Sequence, residues 1–180
     1  MKKISILVIT TLLISSCSSS TQESSLGFVP GCDEIKLLET ADKSKLMPCL
    51  GGEVSINFHQ LKGPMVINVW GSWCEGCKEE MPYFVDLYKT QAFKYGQIQL
   101  LGINVEESSK ADAIEYIKKS GMSWPHLEDL DGISKSIFGP GVPVTWFVNE
   151  AGEKVGTKIG AYTNKDQLFE QVEKAFGIKL

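Results

Sequence analysis

The sequence contains no arginine; all 18 of its basic residues are lysines. Arginine supplies the bidentate contacts that proteins place on phosphate and guanine. Its absence, with a formal net charge of −4, argues against a nucleic-acid partner. Histidine is scarce, with only His59 and His126. They are not paired at ligand spacing, so a tetrahedral zinc centre built on a cysteine pair would lack two ligands. No metal and no cofactor are expected. No long block of like charge appears, which leaves the charge as a solvated surface. There is no internal repeat. No apolar run reaches the roughly 20 residues that span a bilayer as a helix.

The first residues instead read as a targeting segment. Lys2 and Lys3 are followed by the apolar stretch Ile4–Ile14, and then by Ser15, Ser16 and Cys17. Small residues directly before a cysteine resemble a bacterial lipoprotein signal, in which residues 1–16 are removed and Cys17 becomes the lipidated first residue. Several acyl chains on one residue would anchor the chain stably. The bland alternative is a secretory signal with an incidental cysteine. Residues 17–28 are small, polar and unpatterned, as a flexible tether would be. Without the signal the balance is 16 lysines against 22 acids. Charge alone would not draw such a domain to an anionic membrane.

Five cysteines are present. With Cys17 assigned to lipid, Cys32, Cys49, Cys74 and Cys77 remain. An even number in an exported chain suggests disulfides, and four cysteines allow three connectivities.

Past the tether, residues up to about Gly52 show weak periodicity and end in turn signals. Val54–Phe58 alternates like a half-buried strand, and Met65–Trp70 is a nearly continuous apolar run suited to a central strand. Cys77, Met81, Phe84, Val85 and Tyr88 share one helical face. Ile98–Val105 reads as a buried strand. Ser109–Gly121 reads as a helix with a serine cap and a glycine stop. The stretch SWPHLED reads as irregular and GISKSIFG as one or two helical turns. Val144–Asn149 and a weaker KVGTKIG form a hairpin, followed by an amphipathic helix over Asn164–Gly177. The order β-β-α-β-α-β-β-α implies an α/β architecture: a central mixed sheet with helices on both faces.

The stretch GSWCEGCKEEMP places Cys74 where a buried strand ends and a helix begins. Free N–H groups and the positive end of the helix dipole favour a thiolate there. Cys77 lies one turn inside, on the face of Met81, and is expected to be more buried. One accessible attacker and one shielded resolver suit reversible thiol–disulfide exchange. A purely structural Cys74–Cys77 bond would close a very small loop and restrain the unfolded chain little.

The segments INVWGSWCEGCKEEMPYF and GVPVTWFVNEAG together resemble the thioredoxin fold, specifically exported, membrane-attached thiol–disulfide oxidoreductases of the TlpA/ResA type. The resemblance covers about Val54 to Leu180. It implies that Pro143 is cis beside the cysteine pair and that Val142 offers its backbone to an extended substrate. It implies that Trp73 borders the accessible sulfur and that Pro82 kinks the helix. It also implies that Glu80 is either an aid to proton transfer or a surface helix acid. Two features depart from the pattern. Gly76 stands where most relatives carry proline, which frees the backbone, and Glu75 sets a negative charge beside the thiolate. Trp70 and Trp146 are expected in the core, and His59 and His126 in loops or at strand ends.

With Cys74 and Cys77 assigned to exchange and Cys17 to lipid, Cys32 and Cys49 remain as a structural disulfide. It would pin residues 29–53 to a thioredoxin-like core over about 54–180. The expected activity is exchange of thiols and disulfides outside the cytosol, on a membrane. A reductant of protein disulfides is favoured, acting on apocytochrome c or another metalloprotein and recycled by a membrane redox protein. The rivals are a disulfide-forming oxidant and a copper-delivery lipoprotein. The copper reading fits poorly, since such proteins typically separate their cysteines by three residues and add a distant histidine.

Overall fold

The computed structural model describes residues 28–39 and 44–180. The signal segment, Cys17 and nearly all of the tether lie outside the described residues.

Strand β3 (Met65–Trp70) is buried at every position. A strand buried on both faces needs partners on both edges and cover above and below. β3 receives β4 (Gln99–Val105) in parallel on one side and β6 (Val144–Val148) antiparallel on the other. β5 (His126–Asp129) extends the sheet beyond β4 in parallel, and β7 (Lys154–Ile159) pairs antiparallel with β6. The order is therefore β5-β4-β3-β6-β7.

One face of the sheet is covered by α1 (Glu75–Tyr88), α3 (Lys110–Ser120) and α5 (Lys165–Phe176), whose apolar positions meet Val66, Trp70 and Leu100. The other face holds Met65, Ile67, Val69, Leu101 and Ile103 against α4 (Ile133–Phe138) and the N-terminal extension. A short α2 (Gln91–Lys94) follows α1. Helix limits follow local chemistry. Ser109 and Asn164 cap α3 and α5 by accepting from the N–H groups of Asp112 and Gln167, and both helices stop at left-handed glycines, Gly121 and Gly177.

Several expectations change. SWPHLED is not irregular: it contains β5, whose His126 and Leu127 are buried. Four residues with charged members at the end carry too little alternation to announce a strand, and its pairing comes from β4. The strand expected at Val54–Phe58 is only Ser55–Asn57 (β2). It pairs with β1 (Leu46–Pro48) in a separate two-stranded sheet, and Phe58–Gln60 turns as a 3-10 helix. Trp146 is half-buried rather than core, with its ring 4.4 Å from Phe138 and the Lys154 ammonium 4.4 Å above it. Pro82 lies inside α1, the helix in which the sequence placed it.

His126 opens β5 and is fully buried. Its Nδ1 accepts from Trp70 Nε1 at 3.3 Å, and its ring lies 5.4 Å from Trp70 and 5.5 Å from Trp124. Burial drives its pKa down to about 3, so it stays neutral. The ring fits because residue 102 is glycine: a Cβ there would fall 1.9 Å from His126 Nδ1.

Cys32 and Cys49 form a buried disulfide across 17 residues. Cys49 bridges to Leu127, Leu50 N–H donates to His126 O at 2.8 Å, and Cys49 N–H donates to Val54 O at 2.9 Å. The bond thus joins the extension to β5 as well as to the chain at Val54. Closing a loop of this length is worth about 3 kcal/mol on the chain-entropy model. A Cys32→Ser/Cys49→Ser double variant should therefore melt about 6–12 °C lower. Calorimetry checks this, and an unchanged melting temperature would remove the staple reading.

Candidate active site

Burying β3 fixes its end at the buried Trp70, from which the chain turns through Gly71–Ser72–Trp73 into α1. Cys74 is the N-cap of α1, with extended backbone, and its Sγ accepts from Cys77 N–H at 3.1 Å. That donor is one of the helix's free first-turn groups. It would favour a sulfur carrying negative charge once the bond is opened. Cys74 and Cys77 are joined as a disulfide with Cα atoms 5.2 Å apart. Cys74 is 5% exposed and Cys77 0%. The expected asymmetry has the right direction, but Cys74 is closer to enclosed than an openly exposed attacker. Glu75 is exposed beside it and pairs with Lys78 at 3.3 Å, which offsets part of its charge toward the sulfurs.

The loop before Cys74 is held by β4. The Glu107 carboxylate accepts from Ser72 N–H, from Ser72 Oγ at 2.7 Å and from Asn104 Nδ2 at 2.7 Å. Trp73 lies back over Gly71 and donates from Nε1 to Val105 O at 3.3 Å. A Cβ on Gly71 would fall 2.6 Å from that indole nitrogen, so the indole can lie down only because residue 71 is glycine. Trp73 stays 50% exposed. It separates a polar cleft of about 690 Å³, lined by Lys78, Glu115, Tyr116 and Lys119, from a smaller apolar pocket at Val105, Phe138, Pro140 and Val142.

The Val142–Pro143 bond is cis, as is Gly63–Pro64. Pro143 is buried, and Val142 is half-buried at the apolar pocket. Gly76 faces this corner: a Cβ there would lie 3.5 Å from Pro143 Cδ and 3.4 Å from Ala161 Cβ. These are ordinary van der Waals distances, so the start of α1 packs against the proline loop without needing a glycine there. Cys74, Cys77, Trp73, Val142 and Pro143 therefore meet around one end of the sheet. Cys32 and Cys49 are placed elsewhere, at β5.

Glu80 is fully buried, so it is no surface helix acid. Its Oε1 accepts from Asn68 Nδ2 at 2.9 Å and its Oε2 from Tyr162 N–H at 3.0 Å. Burial pushes its pKa up to about 7. The Tyr162 N–H, the Asn68 amide and the positive charge of Lys158 pull the other way without cancelling it. A carboxyl poised near neutrality one turn from Cys77 is suited to hold or release a proton as the sulfurs change state. Sequence reasoning missed its partners. Asn68 carried a signal, as the only polar side chain in the apolar run MVINVW. Tyr162 and Glu107 carried none.

Chemically, the pair can perform dithiol–disulfide exchange. A Cys74 thiolate attacks a target disulfide, forms a mixed disulfide and releases one target thiolate. Cys77 then displaces the second target sulfur, closing the bond seen here. Among the described residues, no cluster of three His, Cys, Asp or Glu side chains is placed to hold a metal.

A cysteine pair capping the helix after a buried strand, set against a cis proline just before the neighbouring strand, defines a thioredoxin-like protein. The chain belongs to the AhpC/TSA family, whose model matches residues 39–153. It is 34% identical over 110 residues to the thiol-disulfide oxidoreductase ResA of Bacillus subtilis (strain 168), a match covering 60% of each chain. That is less than two thirds of this relative's length. It is 30% identical over 132 residues to sporulation thiol-disulfide oxidoreductase A of the same organism, covering 72% of this chain and 78% of that one. Among solved structures, StoA from Bacillus subtilis matches with a TM-score of 0.53 at 27% identity, over 68% of this chain and 91% of that one. A secreted disulfide oxidoreductase of Mycobacterium tuberculosis shares the fold, with a TM-score of 0.60 at 20% identity over 72% of this chain and 94% of that one.

The raised pKa of Glu80 has a thermodynamic consequence. An acid with a folded pKa above its unfolded value stabilises fully below the unfolded value, here 4.5, and that contribution is lost as pH rises through about 7. His126 works in the opposite sense, contributing above 6.5 and losing its contribution as pH falls toward about 3. Comparing Glu80→Gln with the parent removes the histidine from the difference. The stability of the oxidised variant relative to the parent should rise by about 3 kcal/mol between pH 4 and pH 8. Denaturant titrations at the two pH values measure this, and a flat difference would count against the carboxyl's burial.

Proposed function

We propose that the chain is a membrane-anchored, extracytoplasmic thiol–disulfide oxidoreductase that reduces disulfides of client proteins through Cys74 and Cys77. The observation that carries this reading is the position of the pair. Cys74 caps α1 with the Cys77 N–H on its sulfur, keeps a small opening to solvent, and faces the proline corner with Cys77 sealed beneath it. The relatives named thiol-disulfide oxidoreductases support the same chemistry. Cys74 is the nucleophile, Cys77 the resolver, and Glu80 the proton carrier. Trp73, Val142 and Pro143 form the surface on which an extended client segment lies.

The clients are proteins, apocytochrome c or another metalloprotein among them, and a membrane redox protein returns the pair to the dithiol. The buried Cys32–Cys49 bond serves as a staple and takes no part in turnover. Lipid on Cys17 supplies the attachment. No helix among the described residues is long and apolar enough to cross a membrane.

The test of the site is mixed-disulfide trapping. Cys77→Ser should accumulate covalent adducts with client proteins, and Cys74→Ser should not. The reverse pattern would overturn the assignment. The direction of electron flow is read from the potential of the pair. A value at or below that of thioredoxin, about −270 mV, supports a reductant, and one near the strong oxidant DsbA, about −120 mV, overturns it.

The anchor has its own measurement. Cys17→Ser should leave the membrane fraction or remain unprocessed, seen by fractionation and intact mass. A variant that stays membrane-bound at an unchanged mass would rule out lipidation at Cys17.

A further inference from the structure

Strand β7 leads into the turn Ile159–Gly160–Ala161, which precedes Tyr162. Gly160 takes the left-handed conformation at φ 77°, and its N–H donates to Pro143 O at 3.0 Å. The Lys158 side chain folds over this turn. Its ammonium donates to Ile159 O at 2.9 Å, Gly160 O at 2.9 Å and Ala161 O at 3.1 Å. An ammonium has three donors, so all three are spent on one turn. The same nitrogen lies 5.4 Å from the Tyr162 ring centroid. The turn it grips touches the site twice. Ala161 stands against Gly76 at the start of α1, and the Tyr162 N–H reaches Glu80 Oε2 at 3.0 Å.

We propose that Lys158 is a positioning residue of the redox site: it locks the 159–161 turn in register with the Cys74–Cys77 helix and so holds the Tyr162 N–H on Glu80, with its own positive charge nearby. The inference rests on the reading of Cys74–Cys77 as a protein-disulfide exchanger and adds the device that sets its proton chemistry.

The surroundings of Glu80 leave that cation room to act. β3 presents the neutral amide of Asn68. Tyr162, after β7, and Tyr116, on α3, are both raised by burial and stay neutral at physiological pH. Cys77, on α1 itself, is held in the disulfide when the protein is oxidised. The positive charge of Lys158 and the Tyr162 N–H that its turn carries both favour the carboxylate, against the larger effect of burial.

The experiment uses the oxidised protein, in which the cysteines do not titrate. Glu80 is followed by carboxyl carbon NMR across pH in the parent, Lys158→Met and Lys158→Arg. Lys158→Met keeps the aliphatic stem and removes the charge. Its Glu80 midpoint should rise by about half a unit or more, and the Glu80 limb of the exchange rate against pH should move with it. Lys158→Arg keeps the charge and should titrate with the parent. If the methionine variant does not fold, Lys158→Gln replaces it with the same expected shift. An unchanged midpoint in the folded neutral variant, or an equal shift in Lys158→Arg, would overturn the proposal. Absence of disulfide exchange in the parent protein would instead strike the functional reading, since the NMR midpoint is measured without turnover.

Discussion

The site depends on a buried strand delivering a helix N-terminus to one place. β3 is closed on both faces and both edges, so its end at Trp70 is fixed by packing rather than by its own loop. From there four residues reach the N-cap sulfur. Hydrogen bonds from the end of β4 allow that short path little slack. Glu107 takes both the N–H and the hydroxyl of Ser72, and Val105 takes the Trp73 indole. A free loop would have to lose conformational entropy each time the cysteines met a client. Here that ordering is done during folding, at the cost of burying several polar groups that must all find partners.

Glu80 is the point at which this cost becomes useful. An ionised carboxylate in the core is costly, and the protein does not neutralise it with an adjacent ion pair. It supplies two neutral donors and one displaced cation, enough to keep the group in place and too little to restore an ordinary acidity. A tight salt bridge would have held the carboxylate ionised at all working pH, and a fully apolar pocket would have kept it protonated. The intermediate arrangement leaves it near neutrality, where small changes of charge at the neighbouring sulfurs are large enough to shift its protonation.

The parts legible in the sequence are those with strong local causes. Met65–Trp70 announced a central strand because every position is apolar or compact, and α1, α3 and α5 announced themselves by apolar spacing and caps. The cysteine pair was readable because its chemistry requires that spacing at a helix start. β5 was not, because a four-residue edge strand owes its existence to β4 and to the extension that covers it. His126 was expected in a loop or at a strand end, and it stands at the start of β5, but its burial was not foreseen. That burial follows from Gly102, which leaves room for an imidazole on the neighbouring strand. Glu80 was ambiguous because one helical turn does not say which side is buried. Its two donors come from β3 and from the turn after β7, positions 12 and 82 residues away in sequence.

The two disulfides show how context divides one kind of bond into two uses. Cys32 and Cys49 lie in the core under β5, and their bond spans 17 residues of a segment whose only strand, among the described residues, is the three-residue β1. Opening it would release chain that has few other restraints. Cys74 and Cys77 close only three residues, within a helix turn already fixed by β3 and β4. Opening that bond frees almost no chain. A disulfide is cycled at least cost where the surrounding structure does not rely on it, and the framework around α1 meets that condition.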